Sequence, residues 1–573
     1  MHFIKSEVSA SRFLFRLAIL VCAALQFCFG VTKKKYDFVV GVNGDFKAAM
    51  SAAAKSASSS NRFYIFFPDG EYNLGALTGD TNQKTTFPTS NVSFIGQSQN
   101  NTVLYNKSIN ESIGTTATLY LKANNIYMQD MTIYNKAVYG QPALYNATGR
   151  HVAIQEEGSK FIYKRVKLLS TQDTYYTKNS RTYWEDGTIY GTTDFLCGSG
   201  DVYFQNCTLY ELKVSAISAP STTTTWGYVF NGCTIDGDVS GYTLGRSWNT
   251  AKATYLNTTM KKLPSDAGWG NPMNSVPQQF AEYKSRDASG NLLDLSKRRT
   301  VYTKDDTKVT LNPVLTDAQA AAYTVSNVLK GSDNWQPQNL AKQLSAPVIR
   351  QNGQDITWDA DDNALCWVVF KNGKYLANVT SNSYSASSLS AGDKITVRAA
   401  NEMGGLGDAS NALAVGAVPA ESSSSSAVSS SGAASSSSAA VSVNPVVTFV
   451  SPSDNASFVA PATVTVEVSA AEAGGSIANV QLFLNGTLVR QENGAPYQWN
   501  DASQDVLLRN MAEGTYTLRA VATDNAGNTG EASLQIKVAA GTESIRIRSR
   551  MKLVTPSKKY FDLLGRPEKK PVR

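Results

Sequence analysis

VKLLSTQDTYYTKNSRTYWEDGTIYGTTDFLCGSGDVYFQNCTL, residues 166–209, is the stretch whose reading decides the fold. It opens on the short β-favouring triplet VKL, meets the same kind of triplet as GTI at 187–189, and ends on CTL at 207–209. MTI at 131–133 and CTI at 233–235 extend the series, and the last apolar residues of the five triplets are 35, 21, 20 and 26 positions apart. A helical solenoid would carry apolar residues at spacings of three and four, whereas each unit here is a short alternating strand bounded by Gly, Asn or Asp. Coils of some twenty residues with about three short strands each describe a parallel β-helix, in which every coil needs its neighbours to bury its inward face. The expected fold class is therefore all-β.

Residues one coil apart become neighbours across the stack, at ~5 Å in backbone spacing. Asp173 in QDT and Asp194 in TDF are 21 apart, one coil of the local repeat. Two close carboxyl groups do not ionise together easily, so one tends to keep its proton while the other stays charged, which makes an acid and a nucleophile available without metal or histidine. Turn residues of this type are also common in β-helix loops, and spacing alone leaves that reading open. Arg246 in LGRSWN, one or two coils on, can reach the same face and hold one carboxylate through a bidentate pair. Gln172 offers an amide donor beside Asp173, suited to a tetrahedral oxyanion, and Trp248 a flat face for a sugar ring. The two histidines are His2 and His151, so a Ser-His-Asp relay would rest on His151 alone. His151 is read as a structural or groove-edge residue.

QDTYY, GTTDFLCG and LGRSW, in that order, resemble the signatures of the pectin methylesterases, and NGDFKAAM, FPDGEY, WGNP, FAEYKS and a closing Trp335–Pro337 agree. The resemblance covers about residues 36–340. It implies a right-handed parallel β-helix that hydrolyses methyl esters of homogalacturonan without metal or cofactor. It further implies Asp194 as nucleophile, Asp173 as general acid and then base, Gln172 as oxyanion donor and Arg246 as the residue orienting Asp194. Trp248, Tyr176 and Arg150 are expected to bind substrate. Counting back from Gln172, Arg150 stands where the family usually has a second oxyanion Gln. Gln155 lies five residues on, an odd offset that would point it to the other face of a straight strand. Cys197, Ser247 and Asn73 are further departures, at places where Phe, Pro and Glu are frequent. The competing readings are a pectin-binding β-helix that has lost catalysis, and a lyase or polygalacturonase on a similar scaffold.

At 573 residues the chain is too long for one core. Its net charge of +7 suggests an anionic partner until the charge is located. Residues 541–573 hold ten Lys/Arg against three Asp/Glu, and residues 1–30 contribute +2, which leaves 31–540 at −2. A near-neutral body, in a chain with 10% aromatic residues and 27 Tyr, suits uncharged or sugar-like ligands and not nucleic acid. Lys5, Arg12 and Arg16 followed by LAILVCAALQFCFG read as a signal peptide cleaved after Gly30, with an uncleaved anchor as the alternative. The expected product is a secreted monomer with no membrane span after signal removal. GDFKAAMSAAAKSASSS reads as a helix capped by Asp45 that closes one end of the solenoid, and TDAQAAAYTVSNVLKG, residues 316–331, as one helix near the other.

The expected divisions are a signal at 1–30, the β-helix at 31–342, a sandwich resembling fibronectin type III at 343–416, a Ser-rich linker at 417–444, a sandwich resembling a bacterial Ig module at 445–540 and a basic tail at 541–573. The β-helix is expected to act without the modules that follow it. The tail is expected to serve export, surface attachment or contact with acidic polymer. Cys207 and Cys233, in NCT and GCT, hold equivalent places in successive coils and are read as a buried stack, with a disulfide as the alternative.

Overall fold

The structure is a computed structural model that describes residues 30–78, 84–108, 117–146, 149–222, 224–416, 444–472, 476–492, 494–495, 497–500, 505–509, 511–525 and 528–539. The signal-peptide reading, nearly all of the Ser-rich linker and the basic tail lie outside the described residues. Among those described, no helix is long and apolar enough to cross a membrane.

Residues 38–287 wind as the parallel β-helix that the triplets imply, with every strand pair of its 22-stranded sheet in parallel register. The register repeats the sequence spacing: Tyr175 pairs with Leu196 and Leu196 with Ser218, while Thr188 pairs with Thr208 and Thr208 with Thr234. Three faces result. The first carries Leu119–Leu121, Ile154–Glu157, the start of Tyr175–Glu185, the start of Leu196–Gln205, Ala216–Pro220 and Thr243–Gly245. The long strands Ile126–Asn135 and Phe161–Leu169 pass from the second face to the third through Asp130 and Arg165, both with left-handed φ (55° and 49°).

Inward-facing aromatic rings from successive coils stack on one another, which is why the core tolerates so many large side chains. Tyr163 lies 4.2 Å from Trp184, Phe204 4.7 Å from Phe230, and Phe230 4.2 Å from Tyr255, all within 21° of parallel. Rings at such separations add to the burial of ~150–250 Å² each. Cys207 and Cys233 are buried free thiols in successive coils, the stack expected from the sequence.

The helix Phe46–Ser56 forms as expected, with Asp45 accepting from the Ala48 N–H, and Phe46 packs among Phe67, Phe87 and Phe94. The single helix expected at 316–331 is two short ones, Asp317–Ala320 and Val325–Leu329. Thr316 caps the first and Thr324 restarts the second. Tertiary contact breaks the run between them: the Tyr323 ring meets Trp226 edge-on at 5.1 Å, and its carbonyl accepts from the Tyr203 hydroxyl at 3.0 Å.

The antiparallel strands Cys366–Lys371, Lys374–Val379, Lys394–Ala400 and Leu406–Ala409 pack on the outer side of the second face, and they share a buried cluster with it that includes Phe66, Ile95, Tyr127, Ile162, Val368 and Leu406. At its centre Asp130 accepts from Arg165 at 2.6 and 2.7 Å and from Arg398 at 3.3 Å, while the Gln129 amide donates to the Leu406 carbonyl at 2.8 Å. A β-helix that stands without this sheet is therefore not what the structure contains, and the two form one compact unit. The second unit has its own core around Val466, Leu482, Trp499, Leu518 and Ile536, under a five-stranded sheet and a three-stranded one.

Two predictions follow from this packing. A chain ending at 342 should melt about 5 °C or more below one ending at 416, because it uncovers a shared core worth several kcal/mol and 1 kcal/mol moves a domain of roughly 300 residues by about 1–2 °C; equal melting temperatures would show the contact to be dispensable. Glu156 is buried inside the coil, accepting from Tyr163 at 2.8 Å and Thr182 at 2.5 Å, and burial pushes its carboxyl up to about 7. The native state thus keeps a proton that the unfolded chain releases, so stability is highest below the ordinary value of 4.5 and falls as pH rises towards about 7. Thermal melts of Glu156→Gln across that window should show a flatter pH dependence than the parent.

Candidate functional site

Where the third face ends and the first begins, the chain turns sharply in each coil, and two successive turns carry Asp173 and Asp194. Both residues have left-handed φ, 56° and 49°, a region that Asp tolerates better than branched or bulky residues. The turns are hydrogen-bonded one upon the next: Asp173 N–H donates to the Thr193 carbonyl at 3.1 Å, and Asp194 N–H to that of Ala216 at 2.7 Å. Thr174 fastens its own turn by donating towards Thr171 O at 3.0 Å and Tyr190 O at 2.8 Å. Gly191 is required here for space, since a Cβ on it would lie 2.0 Å from that of Phe195.

The sequence spacing therefore does bring the two carboxyl groups together, at 5% and 4% exposure. Arg246, following the strand Thr243–Gly245, grips Asp194 with Nε at 2.9 Å and Nη2 at 2.6 Å. That bidentate geometry favours the ionised carboxylate. Asp173 has no such clamp. Burial first, and then the negative charge of Asp194, push it up to about 8, against the opposing pull of Arg150, Arg246 and the Gln172 amide. Of the two, Asp173 is the one inclined to keep a proton.

Arg150 comes to the groove as well, with Nε 3.4 Å from Asp173 Oδ2. Tyr176 and Trp248 form a tilted aromatic pair at 6.3 Å beside the carboxyl groups, both half-buried. Gln155, on the strand Ile154–Glu157, lies in register between Tyr120 and Tyr176 and hydrogen-bonds neither carboxylate. Residues 150–153 are not part of that strand, so the alternation argument that set Gln155 apart from Arg150 does not apply to them. Cys197 is buried in register between Tyr176 and Ala219, and burial together with both carboxyl groups pushes its thiol well up, which makes it a poor nucleophile. His151 is buried, with Nδ1 3.0 Å from the Thr171 hydroxyl and its backbone N–H donated to the Gln172 carbonyl, a structural place.

One group escaped the sequence reading. Glu211 is fully buried beneath the Asp194 turn, and burial and Asp194 together push it well up against the pull of the Lys213 backbone N–H. The signal was present in the alternation of CTLYE, since Leu209 faces inward and Glu211 stands two residues on.

Compared with known proteins, residues 38–332 match the family described as Pectinesterase, and residues 445–543 the family described as Bacterial Ig domain. Pectinesterase 2 of Citrus sinensis is 24% identical over 322 residues, which are 52% of this chain and 57% of that one. Pectinesterase 1 of Arabidopsis thaliana is 26% identical over 317 residues, 51% of this chain and 49% of that one. The chain spans about half the length of these relatives. Among solved structures, a pectin methylesterase from Erwinia chrysanthemi aligns over 53% of this chain and 99% of its own at 24% identity with a TM-score of 0.41. One from carrot aligns over 54% and 97% at 19% identity with a TM-score of 0.43.

Proposed function

The chain belongs to the pectinesterase family, the match covering just over half of its 573 residues, and from that premise we propose that it hydrolyses the methyl esters of homogalacturonan to pectate and methanol. The single observation that carries this reading is the buried carboxyl pair itself, Asp194 held by two short contacts from Arg246 and Asp173 beside it, pushed up to about 8 by burial and by Asp194. In the proposed reaction an Asp194 oxygen attacks the ester carbon, and the carbonyl electron pair moves onto oxygen, where the Gln172 amide can donate. As the tetrahedral species collapses, the bond to methoxide breaks and the Asp173 proton passes to the leaving oxygen. Asp173, now anionic, takes a proton from water, whose oxygen attacks the acyl-enzyme and releases the galacturonate carboxyl and the Asp194 carboxylate. Trp248 and Tyr176 would line the groove for the sugar chain, and no cofactor enters the scheme.

We place the protein outside the cell on the strength of its leader-like first 30 residues, acting as a monomer, and keep the divisions at 31–342, 343–416, 417–444 and 445–540 as part of the proposal. Purified protein should release methanol from esterified pectin, and Asp194→Asn should lower kcat by about 10³-fold or more with KM little changed. A wild-type protein that binds pectin and releases no methanol would be a binding β-helix instead. Activity should also fall as pH rises through about 8, because Asp173 then loses the proton it must donate, and a profile still climbing well above that pH would contradict the assignment of Asp173 as the acid.

A further inference from the structure

We propose that Arg150 is a positioning residue for the carboxyl pair: a second guanidinium, seated on Asp173 as Arg246 is seated on Asp194, that compensates the negative charge left on Asp173 each time it gives up its proton. The catalytic consequence rests on the esterase reading above, while the placement rests on geometry alone. Arg246 makes two short contacts to Asp194, 2.9 and 2.6 Å, as a cation does to a carboxylate. Arg150 makes a longer contact to Asp173, 3.4 Å from Nε, and its side chain is 41% exposed. That is the looser arrangement expected against an acid still carrying its proton, with room to tighten once the proton has gone.

Charge balance gives the contact its purpose. The groups that face Asp173 are Asp194, Arg150, Arg246, the Gln172 amide, the Cys197 thiol and the Tyr176 hydroxyl, and the last two are pushed up and stay neutral. When Asp173 ionises, the nearly buried site holds two carboxylates. Arg246 matches one of them, and with Arg150 the second is matched as well. A neutral side chain at position 150 would leave the second anion uncompensated, and an uncompensated buried charge is costly. In the proposed reaction that anion must persist from the departure of methanol until it activates water, so Arg150 stabilises the state between the two half-reactions. The side chain acts through Asp173, without forming or breaking a bond itself.

The test compares the wild type with Arg150→Gln and Arg150→Lys in the full chain. The Asp173 carboxyl is titrated by difference infrared spectroscopy against Asp173→Asn, and methanol release from esterified pectin is measured across pH. In Arg150→Gln the Asp173 titration should move to higher pH, since a cation that favours the ionised form has been removed, and the alkaline limb of the activity profile should move with it. kcat at pH 7 should fall roughly ten-fold with KM changed less than about two-fold, the pattern of a lost interaction that substrate binding does not use. Arg150→Lys, which keeps the charge, should return the titration towards that of the wild type. An Asp173 titration identical in wild type and Arg150→Gln, or displaced equally by Gln and by Lys, would overturn the proposal. Should the wild type release no methanol, the esterase reading falls, and the infrared titration still decides the role of Arg150.

Discussion

Everything at the site depends on one backbone constraint, the hydrogen bonding of each turn onto the turn of the next coil. Asp173 N–H to Thr193 O and Asp194 N–H to Ala216 O set two side chains 21 residues apart in sequence at equivalent places in adjacent coils. A parallel stack cannot slip by one residue without turning its inward rings outward, so the aromatic ladder from Tyr163 to Tyr255 holds the register that holds the carboxyl groups. Core packing and site geometry are in this sense one requirement.

Given that fixed geometry, electrostatics divides the labour between two chemically identical groups. Both are nearly buried, so each would resist ionisation if alone. Arg246 arrives from a later coil on the Asp194 side and holds that carboxyl with two short contacts, while burial and then Asp194 push Asp173 up to about 8. Arg150 brings a second guanidinium to this balance, 3.4 Å from Asp173.

The β-helix was legible because its signal is periodic. Triplets at a coil's spacing repeat whatever else the chain does, and Asp173, Asp194 and Arg246 stand at places fixed by that repeat. Arg150 and Gln155 were harder, because strand alternation says nothing about a segment that has left the strand. Glu211 was available from alternation but reads as an ordinary surface acid until Leu209 is known to face inward. The docking of the sandwich strands on the second face was not legible. It depends on Asp130, Arg165 and Arg398, residues 35 and 233 positions apart in sequence, and nothing in the local pattern of any one of them names its partners. The helix at 316–331 failed for a related reason: local propensity favoured one run, and the contact of Tyr323 with Trp226 and Tyr203 divided it.

The central claim is that the carboxyl pair cleaves an ester and leaves the sugar chain intact. Mass spectrometry of a defined methyl-esterified oligogalacturonate after incubation with the purified protein tests this most directly. The account predicts products of unchanged chain length, each lighter by one methylene per event, with one methanol released for every new carboxylate. Shortened oligomers, or an unsaturated end group with the methyl esters still in place, would contradict it.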